Sequence, residues 1–138
     1  WEIVLRKRPT TVAAFDGFDV DAVAAYGEAE TARLLADPGI IRNRRKVTAI
    51  IENARRVQAL RESHGGLAAW VAAHHRRDKM EWVKLFRQTF VFTGGEIVGE
   101  FLMSIGYLPG AHGEDCPTFA RIAALAPPWM DGAPSSQK

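Results

Sequence analysis

The sequence predicts an all-α domain. Apolar residues recur at helical spacing along most of the chain, and Gly, Pro and Asp clusters separate the periodic segments. One short stretch, Phe90-Val91-Phe92, has strand character, but it is too short to carry a sheet. A chain of 138 residues is long enough to bury a single core. The fold class expected is therefore all-α, with one domain.

Helix start and stop signals divide the first third of the chain. Proline inside a helical pattern breaks it, so short helices are expected on either side of Pro9. Asp19 suits an N-cap, and Gly27 suits a helix end. The helices predicted here run from Asp19 to Tyr26 and from Glu28 to Ala36, with Asp37-Pro38-Gly39 as the stop.

The longest helix is predicted from Arg44 to Ser63. Its apolar residues are spaced by three and four and form one buried stripe. They are Val47, Ile50, Ile51, Ala54, Val57 and Leu60. Further helices are predicted at Leu67–Ala73, Lys79–Gln88, Glu96–Ile105 and Pro117–Leu125. We expect residues 1–126 to form the domain and residues 127–138, rich in Pro, Gly and Ser, to form a flexible tail.

Composition excludes several classes of protein. Hydrophobic residues make up 47% and charged residues 25%, which is typical of a globular chain. A net charge of +2 neither requires nor excludes nucleic acid as a partner. With Cys116 as the single cysteine, no internal disulfide can form, which favours the cytoplasm. No apolar run approaches the roughly 18 residues of a membrane span. Because the chain begins with Trp1 in mid-pattern, we expect it to be part of a longer protein.

Two adjacent glycines, Gly94 and Gly95, precede a predicted helix. Glycine permits positive φ and close approach of another backbone, and the first amides of a helix favour an anion. The sequence Thr93-Gly94-Gly95 therefore indicates either a tight turn or a phosphate-binding loop. The spacing alone does not decide between them.

Basic residues cluster where the longest helix begins. Arg42, Arg44, Arg45 and Lys46 lie at a helix N-terminus, where positive charge opposes the helix dipole. Stability does not explain that placement, so the cluster indicates either a ligand-facing surface or a solvated face. The run from His74 to Arg77 is interpreted as plain surface.

Several segments of the chain resemble one known family. "WEIVLRKR" (residues 1–8), the Ile-x-Arg-Asn-x-x-Lys pattern in "IIRNRRK" (40–46), "TFVFTGGEIVGEFLMSIGYLPGAH" (89–112) and "HGEDC" (112–116) are similar, in this order, to the type I 3-methyladenine DNA glycosylases. The chain departs from the family in a brief 65–80 segment and in Leu85-Phe86-Arg87-Gln88, where the family often has Lys-Lys-Arg-Gly.

The resemblance implies a fold and an activity. It implies a helix-hairpin-helix DNA glycosylase that hydrolyses the N-glycosidic bond of alkylated purines, chiefly 3-methyladenine, during base excision repair. Double-stranded DNA and free 3-methyladenine are the expected partners, with no membrane and a monomeric state. Trp1 would stack on the base in the pocket. The residues expected to contact DNA are Thr93, Gly94 and Gly95 of the hairpin, with Arg42, Arg44 and Lys46.

The resemblance also implies a structural zinc, with His112 and Cys116 as two of its four ligands. The family's catalytic carboxylate and its other two zinc ligands would precede Trp1, so the catalytic residue is not identified and this chain alone is expected to excise poorly. Two other classes stay open. One is a non-catalytic helix-hairpin-helix DNA-binding module, and the other is a helical protein-interaction domain with no DNA binding.

Overall fold

A computed structural model describes residues 1–131 of the chain, and within them it is all-α. The α-helices are α1 (Glu2–Ala14), α2 (Val20–Ala24), α3 (Glu28–Ala36), α4 (Arg44–His64), α5 (Leu67–Ala73), α6 (Lys79–Thr89), α7 (Gly95–Ser104) and α8 (Pro117–Ala123). Two short 3-10 helices lie at Asp16–Phe18 and Pro128–Met130. From Asp19 onward the predicted helices are confirmed, with ends within two residues of those observed. The described residues contain no strand, and Phe90-Val91-Phe92 forms bends at the end of α6.

The expected break at Pro9 is wrong, because α1 continues through it. Proline removes one backbone donor from the helix. Two threonine hydroxyls just after it donate hydrogen bonds. Thr11 Oγ1 donates within the helix to the Lys7 carbonyl at 2.7 Å, and Thr10 Oγ1 donates to the carbonyl of Gly39, distant in sequence, at 2.6 Å. The second bond attaches α1 to the loop that precedes α4.

The described chain divides into two compact units. The first unit comprises residues 1–70 and 89–92, and the second comprises residues 71–88 together with the chain from Thr93 onward. In the first unit, α2 and α3 pack on α4. Its core contains Phe15, Val23, Tyr26, Leu34, Ile40, Val47 and Ile51. Part of the stripe predicted on α4 is therefore buried as expected.

Polar side chains of α4 strengthen the packing of α2. The Arg55 guanidinium donates to the carbonyls of Ala24 (3.0 Å) and Tyr26 (2.9 Å) at the end of α2. At the start of α2, Asp19 accepts from the Ala22 amide at 2.8 Å, which confirms the predicted cap. These bonds hold both ends of a helix that is only five residues long.

The second unit is built around Trp82, whose side chain is fully buried. The Phe86 and Tyr107 rings meet it edge-to-face, with centroids 6.2 and 6.3 Å away. Val71, Val98 and Leu102 are buried with it. The described part of the predicted tail forms the 3-10 helix at Pro128–Met130, where the Trp129 amide donates to the Gly106 carbonyl at 3.1 Å. Residues 132–138 of that tail lie outside the described residues.

No helix within residues 1–131 combines the length and the apolar character that crossing a membrane requires.

Candidate functional site

Trp1 lies at the edge of an apolar cavity of about 520 Å³ in the first unit. Trp1 is 89% exposed in the described chain. Side chains from α1, from the 3-10 helix and its flanking residue, from the loop before α4 and from the start of α4 form the walls, among them Val4, Phe15, Phe18, Ile41 and Ile50. Several of these apolar groups are themselves exposed, which leaves an open, aromatic-rimmed depression beside Trp1.

The charged residues of this cavity are all basic. They are Lys7, Arg8 and Lys46, and no described residue lining the cavity is an acid. Lys7 has a structural role, because its Nζ donates to the carbonyls of Pro38 (2.9 Å) and Ile40 (3.0 Å). The cavity can therefore surround a flat group, but its own lining supplies no carboxylate.

The basic cluster at the start of α4 is exposed. Arg42, Arg44, Arg45 and Lys46 form no ion pair with any acid in the described chain, whereas Arg55, Arg56 and Arg61 further along α4 do. The Asn43 side chain caps α4 by accepting from the Lys46 amide at 3.2 Å. Lys46 is the member that reaches the Trp1 cavity. Arg44 instead lines a separate polar cavity of about 510 Å³ with Glu28, Glu52 and Arg55.

A mid-helix asparagine holds the turn that follows α6. Asn53 Nδ2 donates to the Val91 carbonyl at 3.0 Å, and Asn53 Oδ1 accepts from the Val91 amide at 2.9 Å. Arg56 adds a bond to the Thr89 carbonyl at 3.0 Å. Phe92 has a left-handed φ of 59°, unusual for a bulky residue, and the Arg45 guanidinium lies 5.8 Å from its ring. Sequence reasoning missed Asn53, because an asparagine inside a helix has no distinguishing local pattern.

The two glycines adopt ordinary backbone conformations and do not use the positive φ that glycine permits. Gly94 is the N-cap of α7 with φ −77° and ψ 162°, and Gly95 begins the helix. A Cβ on Gly94 would meet no described atom within 4 Å, and one on Gly95 would only touch Val83 at 3.8 Å. Packing within the described chain therefore does not require glycine at position 94. The absence of a side chain there leaves the surface at the start of α7 accessible.

The amides at the start of α7 lack partners among the described residues. The first helical bond runs from the Val98 amide to the Gly94 carbonyl at 3.0 Å, and no side chain caps the helix. Three donors ahead of Val98 therefore point out of the helix. The nearby Thr93 hydroxyl oxygen is buried and has no hydrogen-bond partner in the described chain.

His112 and Cys116 lie together, with Nδ1 and Sγ 3.5 Å apart. A hydrogen bond from the Thr118 backbone lowers the pKa of the Cys116 thiol, which favours the thiolate that binds metal. Such a separation allows both atoms to contact one ion, since zinc lies about 2.0 to 2.3 Å from N and S ligands. Residues 1–131 contain no cluster of three or more His, Cys, Asp or Glu that could hold a metal, so they do not complete a zinc site.

Comparison with known proteins identifies the family. The sequence profile described as methyladenine glycosylase matches residues 1–89. The DNA-3-methyladenine glycosylase 1 of Escherichia coli is 51% identical over 55 residues, 40% of this chain and 29% of that protein. The DNA-3-methyladenine glycosylase of Haemophilus influenzae is 28% identical over 85% of this chain and 73% of its own length.

A solved structure agrees with these sequence matches. A crystal structure of 3-methyladenine DNA glycosylase I superposes with a TM-score of 0.73 at 29% identity, covering 85% of this chain and 74% of that one. The match to the Escherichia coli protein spans less than a third of its length. Because the profile covers more than half of the residues, the chain belongs to the methyladenine glycosylase family.

Proposed function

We propose that the protein hydrolyses the N-glycosidic bond of alkylated purines in DNA, chiefly 3-methyladenine, as a base-excision repair enzyme. The observation that carries this proposal is the family match over residues 1–89, which includes Trp1, the apolar cavity beside it and the basic cluster of α4. The Escherichia coli and Haemophilus influenzae relatives are 3-methyladenine DNA glycosylases. In this proposal α6, the turn after it and α7 act as a helix-hairpin-helix that binds DNA.

The open cavity beside Trp1 suits a flat, positively charged base. A glycosylase takes its target base out of the stack and into a pocket. An alkylated purine carries delocalised positive charge, which an indole face attracts by stacking and cation–π contact. Because the leaving base is already cationic, its departure needs little acid assistance. Selectivity then follows from the fit of the ring against Trp1 and the apolar wall.

A carboxylate would stabilise the sugar cation as the bond breaks and would accept hydrogen bonds from the base. The described lining of the cavity supplies only Lys7, Arg8 and Lys46 as charged groups. The carboxylate is therefore not among the described residues that line the cavity, and we expect this chain of 138 residues alone to release base poorly.

The DNA backbone would be bound by two kinds of group, backbone amides and basic side chains. The amides at Thr93 to Gly95 and at the start of α7 can donate to a phosphate. Arg42, Arg44 and Lys46 form no ion pair in the described chain and can neutralise further phosphates. Both contacts position the duplex without reading its sequence, which suits an enzyme that recognises one damaged base in any context.

Zinc binding at His112 and Cys116 is a further part of the proposal. The 3.5 Å separation of their ligating atoms supports it, and the remaining ligands would come from outside residues 1–131. Metal analysis of full-length protein expressed with zinc tests it. About one equivalent is expected, and less than about a tenth of an equivalent would remove the assignment.

We also propose that the protein works in the cytoplasm as a monomer. The single cysteine supports a reducing compartment. Cell fractionation tests the location and gel filtration tests the monomer, which a dimer at working concentration would contradict.

The decisive experiment measures release of 3-methyladenine from alkylated duplex DNA by full-length protein. Trp1→Ala should lower the rate by about tenfold or more and weaken binding of free 3-methyladenine, because the stacking face is lost. Leu125→Ala is the matched control, since Leu125 is also apolar and 81% exposed but lies in the second unit. Wild-type release and base binding by the Trp1 variant would end the pocket assignment.

The same assay separates the alternatives. DNA binding with no base release by the wild-type full-length protein would indicate a non-catalytic DNA-binding module. The absence of both would leave a helical protein-interaction domain.

A further inference from the structure

The second unit contains a cavity that the proposed function does not use. It has a volume of about 570 Å³ and is lined by the segment before α6, the start of α6, residues of α7 and the chain that follows α7. His75, Arg76, Arg77 and Lys79 line one side, and the aromatic residues Tyr107 and Trp129 also line it. This size is within the range of small-molecule binding sites.

The interpretation of His74 to Arg77 as plain surface is wrong for two of these residues. The His75 side chain is only 18% exposed, and its ring meets Tyr107 edge-to-face at 5.2 Å. Both of its ring nitrogens are buried without a hydrogen-bond partner among the described residues, as is Arg77 Nε. Buried polar groups are normally paired, so unpaired nitrogens around one cavity indicate a ligand that would complete them.

The unpaired nitrogens favour an anion. Arg77 Nε is always a donor, and a neutral imidazole offers one N–H. Arg76 adds a second guanidinium from a left-handed turn with φ 70°. The Lys79 side chain packs closely on Gly99, because a Cβ added to Gly99 would lie only 3.0 Å from Lys79 Cε. Lys79 Nζ also forms an ion pair with Glu96 Oε1 at 3.5 Å.

Two acids of the same lining, Asp78 and Asp131, limit the positive charge. Asp78 is occupied in capping α6, because its Oδ1 accepts from the Glu81 amide at 2.8 Å. Asp131 Oδ2 lies 3.8 Å from His75 Nε2, longer than a hydrogen bond, and its side chain is 60% exposed. Asp131 therefore competes with an incoming anion without satisfying the imidazole.

We propose that this cavity binds a phosphate group, held by Arg77 and His75 with Arg76 at the rim. The phosphate can belong to a DNA strand or to a free nucleotide, since both present the same oxygens and the Tyr107 and Trp129 rings can pack against a base. Guanidinium is suited to such an oxyanion because its donors are fixed in a plane. The proposal does not depend on glycosylase activity, and its readout is phosphate binding alone.

The test is a titration of the protein followed by NMR of the Arg77 Nε–H and His75 ring signals. The three probes are inorganic phosphate, deoxyadenosine 5′-monophosphate and a short undamaged duplex, each at constant ionic strength adjusted with chloride. Saturable shifts of both residues are expected. Response to the duplex alone would identify DNA as the source of the phosphate, and response to the small probes would identify a free ligand. If none of the probes shifts either residue, the proposal is overturned.

Four variants assign the effect to the cavity. Arg77→Met should weaken binding by about tenfold, the equivalent of one charge-assisted hydrogen bond, and Arg77→Lys should retain part of the affinity. Arg121→Met removes the same charge from exposed α8 and should leave affinity unchanged. Asp131→Asn should bind more tightly, because the competing carboxylate is gone. Equal affinity in Arg77→Met, Arg121→Met and wild type would also overturn the proposal, whatever the rate of base release.

Discussion

Two helices of this protein, α3 and α7, begin in the same way and differ in what completes their first turn. Each follows a glycine N-cap with extended backbone, Gly27 at φ −114° and Gly94 at φ −77°. At α3 the Glu30 carboxylate reaches back and accepts from the Gly27 amide at 2.8 Å. At α7 the acid of the first turn, Glu96, contacts Lys79 instead, and no side chain caps the helix.

The difference shows that the first amides of a helix can be paired by the protein's own side chains or left available to a ligand. α3 satisfies part of its own N-terminus, as a capping box does. The amides of α7 keep their donor capacity, and its glycine leaves the approach open. A glycine at the N-cap therefore does not by itself indicate a binding site. The acidic residue two or three positions later decides whether the amides of the first turn are capped.

The largest effect is expected when the approach to α7 is blocked. Gly94→Val should fold normally, since a Cβ there meets open space among the described residues. It should weaken binding to duplexes of every sequence by about tenfold, because β-carbon bulk keeps a phosphate from the amides. Fluorescence anisotropy across a salt series measures this affinity.

Gly27→Ala is the matched control at the other helix start. A Cβ on Gly27 would lie 3.6 Å from the Glu30 carboxylate, an ordinary contact, so folding and DNA affinity should both be retained. If Gly94→Val binds DNA as well as Gly27→Ala at every salt concentration, the amides of α7 do not take part in the interface.

A smaller effect is expected from Asn53→Ala, which releases the turn before α7. Its two bonds to Val91 would be lost, leaving a partly buried amide and carbonyl unpaired. We expect about 1–3 kcal/mol of lost unfolding free energy and a several-fold loss of DNA affinity. Chemical denaturation and anisotropy measure the two quantities.

Gln58→Ala is the control for Asn53, because Gln58 is also an amide of α4 but bonds an exposed partner, Asp21, at 2.9 Å. It should cost little stability and no DNA affinity. If Asn53→Ala loses stability but keeps its DNA affinity, the two hydrogen bonds between Asn53 and Val91 support the fold and not DNA binding.

The smallest effect concerns the acid that caps α3. The hydrogen bond from the Gly27 amide is the main cause that lowers the pKa of Glu30. A lowered pKa in the folded state means that the stabilisation is complete above the ordinary glutamate pKa of about 4.3 and is lost as pH falls through the folded value. Glu30→Gln should therefore lower the melting temperature slightly at pH 7 and hardly at all near pH 3. A difference that stayed constant with pH would contradict the role of the carboxylate.

The sequence predicted most helices because their signals are local. Asp19 caps α2 as its residue type suggests, and the stripe of α4 contributes Val47 and Ile51 to the core. The predicted break at Pro9 was wrong because the hydrogen bonds beside it include one from Thr10 Oγ1 to the Gly39 carbonyl, a contact distant in sequence. The same limit applies to the sites. No local sequence pattern predicts that Asn53 bonds Val91 or that Arg77 Nε is buried, because both depend on residues that only folding brings near.

In this chain of 138 residues, the exposure of Trp1 makes its fluorescence a reporter of the adjoining cavity. Of its four tryptophans, Trp70 and Trp82 are 3% and 0% exposed and Trp129 is partly covered, whereas Trp1 is almost entirely in solvent. Collisional quenching by acrylamide should therefore act mainly on Trp1 emission. A ligand seated in the adjoining cavity would shield that indole, so occupancy can be followed in the unlabelled protein from the loss of quenching.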